Sequence, residues 1–292
     1  MRNDCREGFT LVELLVVIAI IALLMGILIP VLSRARGQAQ TVVCASNLKN
    51  YGSALFMYAG DNDDKAPFSF SWLYLMETIF KNNMDPRSGG CPQECRWHYD
   101  KDKPDGTLWP YLKNINVHMC PTFKNYARNA KCPNSAHSAL LPYNPTYNYS
   151  MNRWLGLYCL ELYRVGEAEG RILLDSEPSL KLSQVKRTAQ CFAFSEENMW
   201  TIDHRARDGA KYYSTSSIGK NDLWLYANKA AKNSAVANFA TYHKVSKSKK
   251  NEGYANAVFV DGHVATVRGL AGYDAYLEYG RPFIGHELPN IW

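Results

Sequence analysis

One acidic side chain inside a long apolar run is the clearest chemical feature of this chain. Residues 9–32 carry Glu13 as their single charged side chain. A helix of this length, rising about 1.5 Å per residue, is long enough to cross the ~30 Å hydrocarbon core of a membrane. A carboxylate at that depth costs about 2.5–3.5 kcal/mol. We therefore expect Glu13 to be functional and to need a partner, which the segment itself does not offer.

A short polar stretch precedes the apolar run and ends in Gly8. A secretory signal peptide is cut after its apolar region, behind small residues, whereas here the small residue stands in front. The sequence Gly8-Phe9-Thr10-Leu11-Val12-Glu13 resembles the processing signal that type IV pilins share with type II secretion pseudopilins. A plain single-pass anchor is the weaker interpretation of this pattern.

The resemblance implies a processing route and a set of partners. Prepilin peptidase would cut between Gly8 and Phe9, remove residues 1–8 as a leader, and methylate the new amine of Phe9. That amine would pair with Glu13 of a neighbouring subunit, which is identical or related. The chain would wait in the inner membrane with its globular part in the periplasm. A secretion or pilus assembly platform would then build it into a periplasmic pseudopilus or a cell-surface filament.

The helical pattern continues past the apolar run. An apolar stripe at spacings of four and three marks an amphipathic helix. Its members are Cys44, Leu48, Tyr51, Leu55 and Tyr58. We predict one helix over 9–60, with 9–32 in the membrane and the stripe buried against its own domain. Gly26 and Pro30 predict a local break or kink in the membrane part.

An acidic turn, Asp61-Asn62-Asp63-Asp64, ends the predicted helix. Its carboxylates could hold calcium, but the turn lacks the glycine and the distal glutamate of an EF-hand loop. A solvated turn is the favoured interpretation, structural calcium is the alternative, and no other cofactor is expected. We treat 61–292 as one exported domain with an irregular insertion, rich in Tyr, Trp and Cys, at about 66–190.

The strongest strand signals lie in the C-terminal third. Residues 190–195 form a short apolar run, and the pair Asp261-Gly262 stands between alternating apolar residues. Asp-Gly in that context is a strong hairpin signal. We predict strands at 256–260 and 263–267, joined at the sheet edge by a type I′ turn with positive φ at both central residues.

The same region resembles a pilin-like family with a C-terminal His-X9-Asp-Gly motif. The matching pieces include residues 44–49, 58–62 and 182–186, and the run Asp261-Gly262-His263. The nearest upstream histidine, His243, is separated from Asp261 by seventeen residues instead of nine. We interpret the motif as a turn scaffold, with a ligand site at Asp261 as the alternative.

Eight cysteines are many for an exported chain, and oxidising compartments favour disulfides. Loss of Cys5 with the leader leaves an odd number, so at least one thiol stays free or pairs elsewhere. The seven are Cys44, Cys91, Cys95, Cys120, Cys132, Cys159 and Cys191. The local pairs 91/95 and 120/132 could form disulfides, the favoured interpretation, or contribute to a zinc site. Buried free thiols are a third interpretation.

Composition limits the other function classes. The chain has 292 residues, of which 47% are apolar, enough for a sizeable core. Its formal charge of +6 is partly concentrated in a lysine run at 244–250 that has no aromatic side chain to stack on a base. We therefore expect no nucleic acid partner. The sequence holds no HExxH, Gly-x-Ser-x-Gly or phosphate-binding glycine motif, so we expect no enzyme.

These observations and the resemblance lead to one fold and three functions. We expect an α+β, pilin-like fold, with the long N-terminal helix half in the membrane and half packed on an antiparallel sheet. The expected function is a structural subunit of a type IV pilus or a type II secretion pseudopilus. A membrane-tethered binding module, whose aromatic middle grips carbohydrate without polymerising, is the alternative. A tethered hydrolase is a weaker one. Glu13 discriminates them, because polymerisation alone gives it a partner.

Overall fold

A single long helix opens the fold and leads from an apolar end into the core. The computed structural model describes residues 10–69, 71–74, 104–127, 147–156, 179–196, 204–205, 211–212, 224–225, 239–241, 243–244 and 253–268. The helix, α1, runs Leu11–Asp61. Its N-terminal part is long and apolar enough to cross a membrane. The long N-terminal helix predicted from the sequence is thus confirmed.

The two halves of α1 have different surroundings. Every side chain from Leu11 to Leu32 is exposed, although nearly all are apolar. The first buried side chain is that of Cys44, and from there the predicted stripe faces the body of the protein. Four of its five members are fully buried and Tyr58 lies partly buried at the margin. The exposed apolar half therefore presents a surface that soluble proteins rarely leave uncovered.

The helix continues without interruption through Gly26 and Pro30, where the sequence predicts a break or kink. A proline removes the hydrogen bond that its amide would donate to the carbonyl four residues earlier, which here belongs to Gly26. The intact turns on both sides keep the helix together because helix formation is cooperative. One missing donor does not end a helix of 51 residues.

One mixed sheet forms the body of the fold. The strands are β1 Tyr149–Asn152, β2 Phe192–Glu196, β3 His204–Arg205, β4 Lys211–Tyr212, β5 Trp224–Leu225, β6 Tyr254–Phe259 and β7 Val264–Arg268. Five of them lie in the order β5-β1-β2-β6-β7, with β1, β2, β6 and β7 antiparallel and β5 parallel to β1. Strands β3 and β4 form a separate ribbon. The predicted α+β class is confirmed.

Strand β1 lies inside the segment 66–190, which the sequence presents as an irregular insertion. All four of its residues are buried, so the segment supplies an interior strand. The strand has only four residues, Tyr-Ser-Met-Asn, so its alternation of apolar and polar side chains is too short to be a strong strand signal. The remaining short elements are the helices α2 Trp109–Leu112, α3 Pro121–Ala127 and α4 Arg153–Gly156 and the 3-10 turns Ile115–His118, Leu182–Gln184 and Thr188–Gln190.

The core forms where the second half of α1 crosses β2, β6 and β7. Tyr51 lies at its centre, with its ring centroid 5.4 Å from that of Trp72 and 5.1 Å from that of Phe194. Edge and tilted contacts of this kind add to the stabilisation that burial provides. The packing fixes the rotation of α1, and so it determines which residues of the helix face β2 and β6.

Candidate assembly segment, hairpin turn and buried polar cluster

Glu13 forms a capping box with Thr10 at the start of α1. The Thr10 backbone N–H and hydroxyl donate to Glu13 Oε2 at 2.8 and 2.7 Å. The Glu13 N–H donates in return to Thr10 Oγ1 at 3.3 Å. The sequence analysis expected no partner for the charge of Glu13 in the segment, and it overlooked this neutral hydrogen-bond partner. The signal was present, because Thr-x-x-Glu ahead of an apolar run is the capping-box pattern.

The cap leaves the charge of Glu13 uncompensated. Thr10 supplies only neutral donors, and Glu13 forms no ion pair among the residues that the structure describes. The carboxylate is exposed, so it is accessible to a cation from another molecule. Gly8 and Phe9, the predicted cleavage and methylation sites, lie outside the described residues. The roles of all three residues stay predictions.

The Asp-Gly hairpin is present, but its turn is not of the predicted type. Strands β6 and β7 end and begin one residue away from the predicted bounds, at Phe259 and Val264. Gly262 has φ +85°, whereas Asp261 is not among the residues with positive φ. The Gly262 N–H donates to the Phe259 carbonyl at 2.8 Å and closes the turn. A longer hairpin loop needs only its glycine in the left-handed region.

The groups of the turn already have partners within the protein. Asp261 Oδ1 accepts hydrogen bonds from the backbone N–H and ring Nδ1 of His263, at 3.1 and 2.6 Å. Burial opposes ionisation of Asp261, but these bonds outweigh it and lower the pKa of the carboxyl. The Lys49 ammonium donates to the Gly262 carbonyl at 2.8 Å. These contacts favour the scaffold interpretation and join the turn to α1.

His243 lies far from the Asp-Gly turn, in a buried polar cluster between α1 and the sheet. Its Nε2 is 2.9 Å from Glu196 Oε1, and its Nδ1 is 3.1 Å from Thr41 Oγ1. Glu196 closes β2 and also accepts a hydrogen bond from the Asn256 N–H through Oε2, at 2.7 Å. Sequence reasoning missed Glu196, because an acid at the end of an apolar strand reads as a surface residue.

The disulfide in the structure differs from one of the predicted cysteine pairs. Cys44 and Cys120 form a disulfide across 76 residues of sequence, with Cα atoms 5.2 Å apart. The prediction of disulfides is confirmed, but Cys120 does not pair with Cys132. The fold places the start of α3 against α1, which brings Cys120 to the helix. Cys191 is free and buried, and burial raises the pKa of its thiol. The remaining cysteines, at 91, 95, 132 and 159, lie outside the described residues.

The acidic turn after α1 also has protein partners. Asp61 Oδ2 accepts a hydrogen bond from the Tyr111 hydroxyl at 2.8 Å. Asp64 Oδ2 accepts one from the Ser183 N–H at 3.0 Å, and the Asp64 carbonyl accepts one from Leu182. The turn therefore holds neighbouring loops to the end of α1. Most of the lysine run at 244–250 lies outside the described residues, and Lys244 lies over the Tyr254 ring.

Comparison with known proteins adds to this geometry. The family described as the prokaryotic N-terminal methylation motif matches residues 4–29. The chain is 48% identical over 63 residues to the type IV wide pilus major component PilA4 of Thermus thermophilus, covering 22% of this chain and 47% of that protein. It is 34% identical over 118 residues to the type II secretion system core protein G of Pseudomonas aeruginosa, covering 40% and 70%. It thus spans about half of the first relative. No solved structure matches the chain.

Proposed function

Because this chain belongs to the family of type IV pilins and type II secretion pseudopilins, we propose that it is a structural subunit of a type IV pilus or of a type II secretion pseudopilus. Pilins and pseudopilins are structural subunits and not enzymes, so assembly is the activity to test. In this proposal the chain polymerises with identical or related subunits through the first half of α1.

The contrast between the two halves of α1 is the main support for this proposal. Its second half anchors the body, while residues 11–32 are exposed and apolar. Lipid can cover this surface before assembly, and the same segments of neighbouring subunits can cover it afterwards. Both environments remove roughly 25 cal/mol of unfavourable exposure per Å² of apolar surface. A segment that is stable in lipid and in a helical bundle suits a subunit that moves from one to the other.

Glu13 supplies the specificity of the assembly step. In the proposal, prepilin peptidase cuts between Gly8 and Phe9 in the inner membrane and methylates Phe9. The mature amine stands near the capped start of its own helix, and it pairs with the carboxylate of Glu13 in the adjacent subunit. A charge pair in an apolar environment fixes register, because every misaligned arrangement leaves both charges unpaired. The body faces the periplasm until a pilus or secretion platform extracts the subunit.

The capping box allows the charge of Glu13 to be tested apart from its hydrogen bonds. The substitution Glu13→Gln keeps an oxygen that can accept from Thr10, but removes the negative charge. We predict that this variant is processed and anchored like the wild type, yet is lost from sheared filament fractions. The matched substitution Thr10→Val keeps the charge and removes the cap, at a cost of about 1 kcal/mol to the helix start. It should still assemble.

The comparison of Glu13→Gln with Thr10→Val also tests the main alternative, a membrane-tethered binding module. Immunoblots of membrane and sheared-surface fractions measure anchoring and assembly, and intact mass measures processing. Equal filament yield from Glu13→Gln and wild type would contradict a role for the charge, whereas absence of the wild type itself from filaments would favour a tethered binding module that does not polymerise. Loss of both variants from filaments would assign the effect to the helix start and not to the charge.

A further inference from the structure

A second chemical site lies where α1 enters the body of the protein. We name it the Cys/His/Glu cluster, and its members are Cys44, Cys120, Glu196 and His243. All four are buried, and their sulfur, nitrogen and oxygen atoms lie within 4.8 Å of one another. We propose that this cluster is a redox-governed zinc site, which binds Zn²⁺ while the two cysteines are reduced and releases it when they form their disulfide.

The donor types and distances suit tetrahedral zinc. Zinc takes thiolate sulfur at about 2.3 Å and imidazole nitrogen or carboxylate oxygen at about 2.0–2.2 Å. A tetrahedron with those bonds separates sulfur from nitrogen by roughly 3.5 Å, and Cys120 Sγ lies 3.7 Å from His243 Nε2. His243 Nε2 and Glu196 Oε1 are 2.9 Å apart as hydrogen-bond partners. If Zn²⁺ replaced the shared proton, His243 Nε2 and Glu196 Oε1 would need to move apart by only a few tenths of an ångström.

Neighbouring groups already hold the atoms of His243 and Glu196 that would not bind the metal. The Thr41 hydroxyl oxygen lies 3.1 Å from His243 Nδ1, and it can accept from an Nδ1–H while its own hydrogen goes to the Gly37 carbonyl at 3.0 Å. That bond leaves Nε2 facing the sulfurs. Glu196 Oε2 accepts the Asn256 N–H, which leaves Oε1 for a metal. A metal-bound histidine usually donates its second N–H to a neighbour in this way, and ligating carboxylates are held similarly.

A buried hydrogen bond by itself explains the arrangement less well. In the disulfide form the His243 ring lies 2.9 Å from the Glu196 carboxylate, and both side chains are buried. A buried pair of this kind contributes little net stability, because desolvation offsets the attraction. Zn²⁺ would take the place of the proton between Nε2 and Oε1 and would give Glu196 a cationic partner. The hydrogen-bonded pair is then the form that the site adopts when the disulfide has closed.

The exchange between the two forms balances. Zn²⁺ binding to the dithiol releases one proton from each thiol and displaces the proton between His243 Nε2 and Glu196. In the reverse direction, the disulfide of a thiol-disulfide oxidoreductase takes two electrons from the Cys44 and Cys120 thiolates and becomes a dithiol with two protons. A proton returns to Nε2, the Cys44–Cys120 bond forms and Zn²⁺ leaves. The disulfide and the metal therefore exclude each other.

The backbone around His243 is built to hold the cluster. His243 and Tyr254 exchange two backbone hydrogen bonds of 3.0 Å. A Cβ atom at Gly253 would lie 2.1 Å from the Thr241 carbonyl oxygen, so this approach requires glycine. Either a disulfide or a zinc ion would link α1 to the start of α3, close to the point where the exposed half of α1 ends. The site would thus keep the helix attached to the body in both redox states.

The test is cobalt binding to the full-length chain in detergent, because Co²⁺ in a tetrahedral thiolate site absorbs through sulfur-to-metal charge transfer. We expect the reduced protein to bind one equivalent of Co²⁺ with that absorption and Zn²⁺ to displace it. The oxidised protein should bind none at the same concentrations. Besides buried Cys191, five other cysteines of the full-length chain could bind the probe, so the titration is repeated after changing them to serine: Cys5, Cys91, Cys95, Cys132 and Cys159.

Variants separate the site from adventitious thiol binding. His243→Ala should lower the affinity for Co²⁺ at least about tenfold, and Thr41→Val, which keeps all four donors, should lower it roughly 10–100-fold. His263→Ala and Cys191→Ser are the matched controls and should bind like the parent. Near-ultraviolet circular dichroism checks folding. Reduced protein that binds no stoichiometric Co²⁺ would overturn the proposal. Wild-type affinity in both Thr41→Val and His243→Ala would also overturn it.

Discussion

His118 is held neutral inside the core. Its ring is almost wholly buried, and this burial lowers its pKa from the usual 6.5 to about 4. The Tyr51 hydroxyl is hydrogen-bonded to its Nδ1, and burial raises the pKa of Tyr51 well above 10, so the hydroxyl is also neutral. The unfolded chain binds a proton at His118 below about pH 6.5, whereas the folded chain does so only below about pH 4. Stability therefore falls as pH drops through this window.

We predict that His118 makes the protein acid-sensitive between pH 6.5 and 4. The group should contribute a loss of up to about 3 kcal/mol in the free energy of unfolding across that window, from ~1.4 kcal/mol per pKa unit. Urea unfolding of wild type and His118→Gln at pH 7, 5.5 and 4.5 measures it. The variant should lose less stability on acidification, and the exposed-site control His263→Gln should follow the wild type. Parallel curves for His118→Gln and wild type would contradict the assignment.

Single residues show what a local pattern can reveal. The Thr-x-x-Glu spacing contained the cap of Glu13, although the sequence analysis overlooked it, and the assembly role of Glu13 stays a prediction. Glu196 was not identifiable, because its partner His243 lies 47 residues away and no local pattern links the two. A buried ionisable residue can be identified from sequence only when its partners are close to it along the chain.

The hairpin of β6 and β7 shows the same limit for an element. Alternating apolar residues predicted the two strands to within one or two residues at each end. The turn type was wrong because Asp-Gly suits both a type I′ turn and a longer loop with glycine in the left-handed region. The deciding contacts come from α1, which lies against the loop through Lys49 and Phe56. A turn whose conformation depends on another element cannot be read from its own residues.

Gly262 should be sensitive to any side chain. It has φ +85°, and a Cβ atom there would lie 2.9 Å from Phe56 Cε2. We predict that Gly262→Ala lowers the free energy of unfolding by roughly 1–3 kcal/mol, the cost of a strained backbone conformation. Gly60→Ala is the control, because nothing lies within 4 Å of its Cβ position and alanine favours a helix. Urea unfolding that ranks the two variants equally would contradict the prediction.

The molecule as a whole combines predictable local patterns with unpredictable long-range pairing. Periodicity predicted α1, its stripe and the hairpin. Long-range contacts, which form only on folding, determine the order of the strands and the interior position of β1. They also determine the Cys44–Cys120 bond, which spans 76 residues of sequence. Local spacing had favoured Cys132 as the partner of Cys120. The exposed apolar half of α1, in contrast, was predictable, because its apolar residues are continuous in the sequence.

The last prediction concerns how the whole chain leaves the membrane. The bond between Gly8 and Phe9 should be cut and Phe9 methylated, so intact mass should show a mature chain that lacks residues 1–8 and carries one methyl group. Gly8→Val should block cleavage, because its β-branched side chain hinders the close approach that glycine allows. Gly37→Val is the control, since its surroundings are open and it lies far from the bond.

The uncleaved Gly8→Val chain should still fold and form the Cys44–Cys120 disulfide, because the core begins at Cys44. It should nevertheless be absent from filaments, since the amine of Phe9 stays in a peptide bond and carries no charge for Glu13 of the next subunit. Wild-type protein that keeps residues 1–8 in cells with active prepilin peptidase would contradict the processing step. Filaments built from uncleaved chains would contradict the pairing of Phe9 with Glu13.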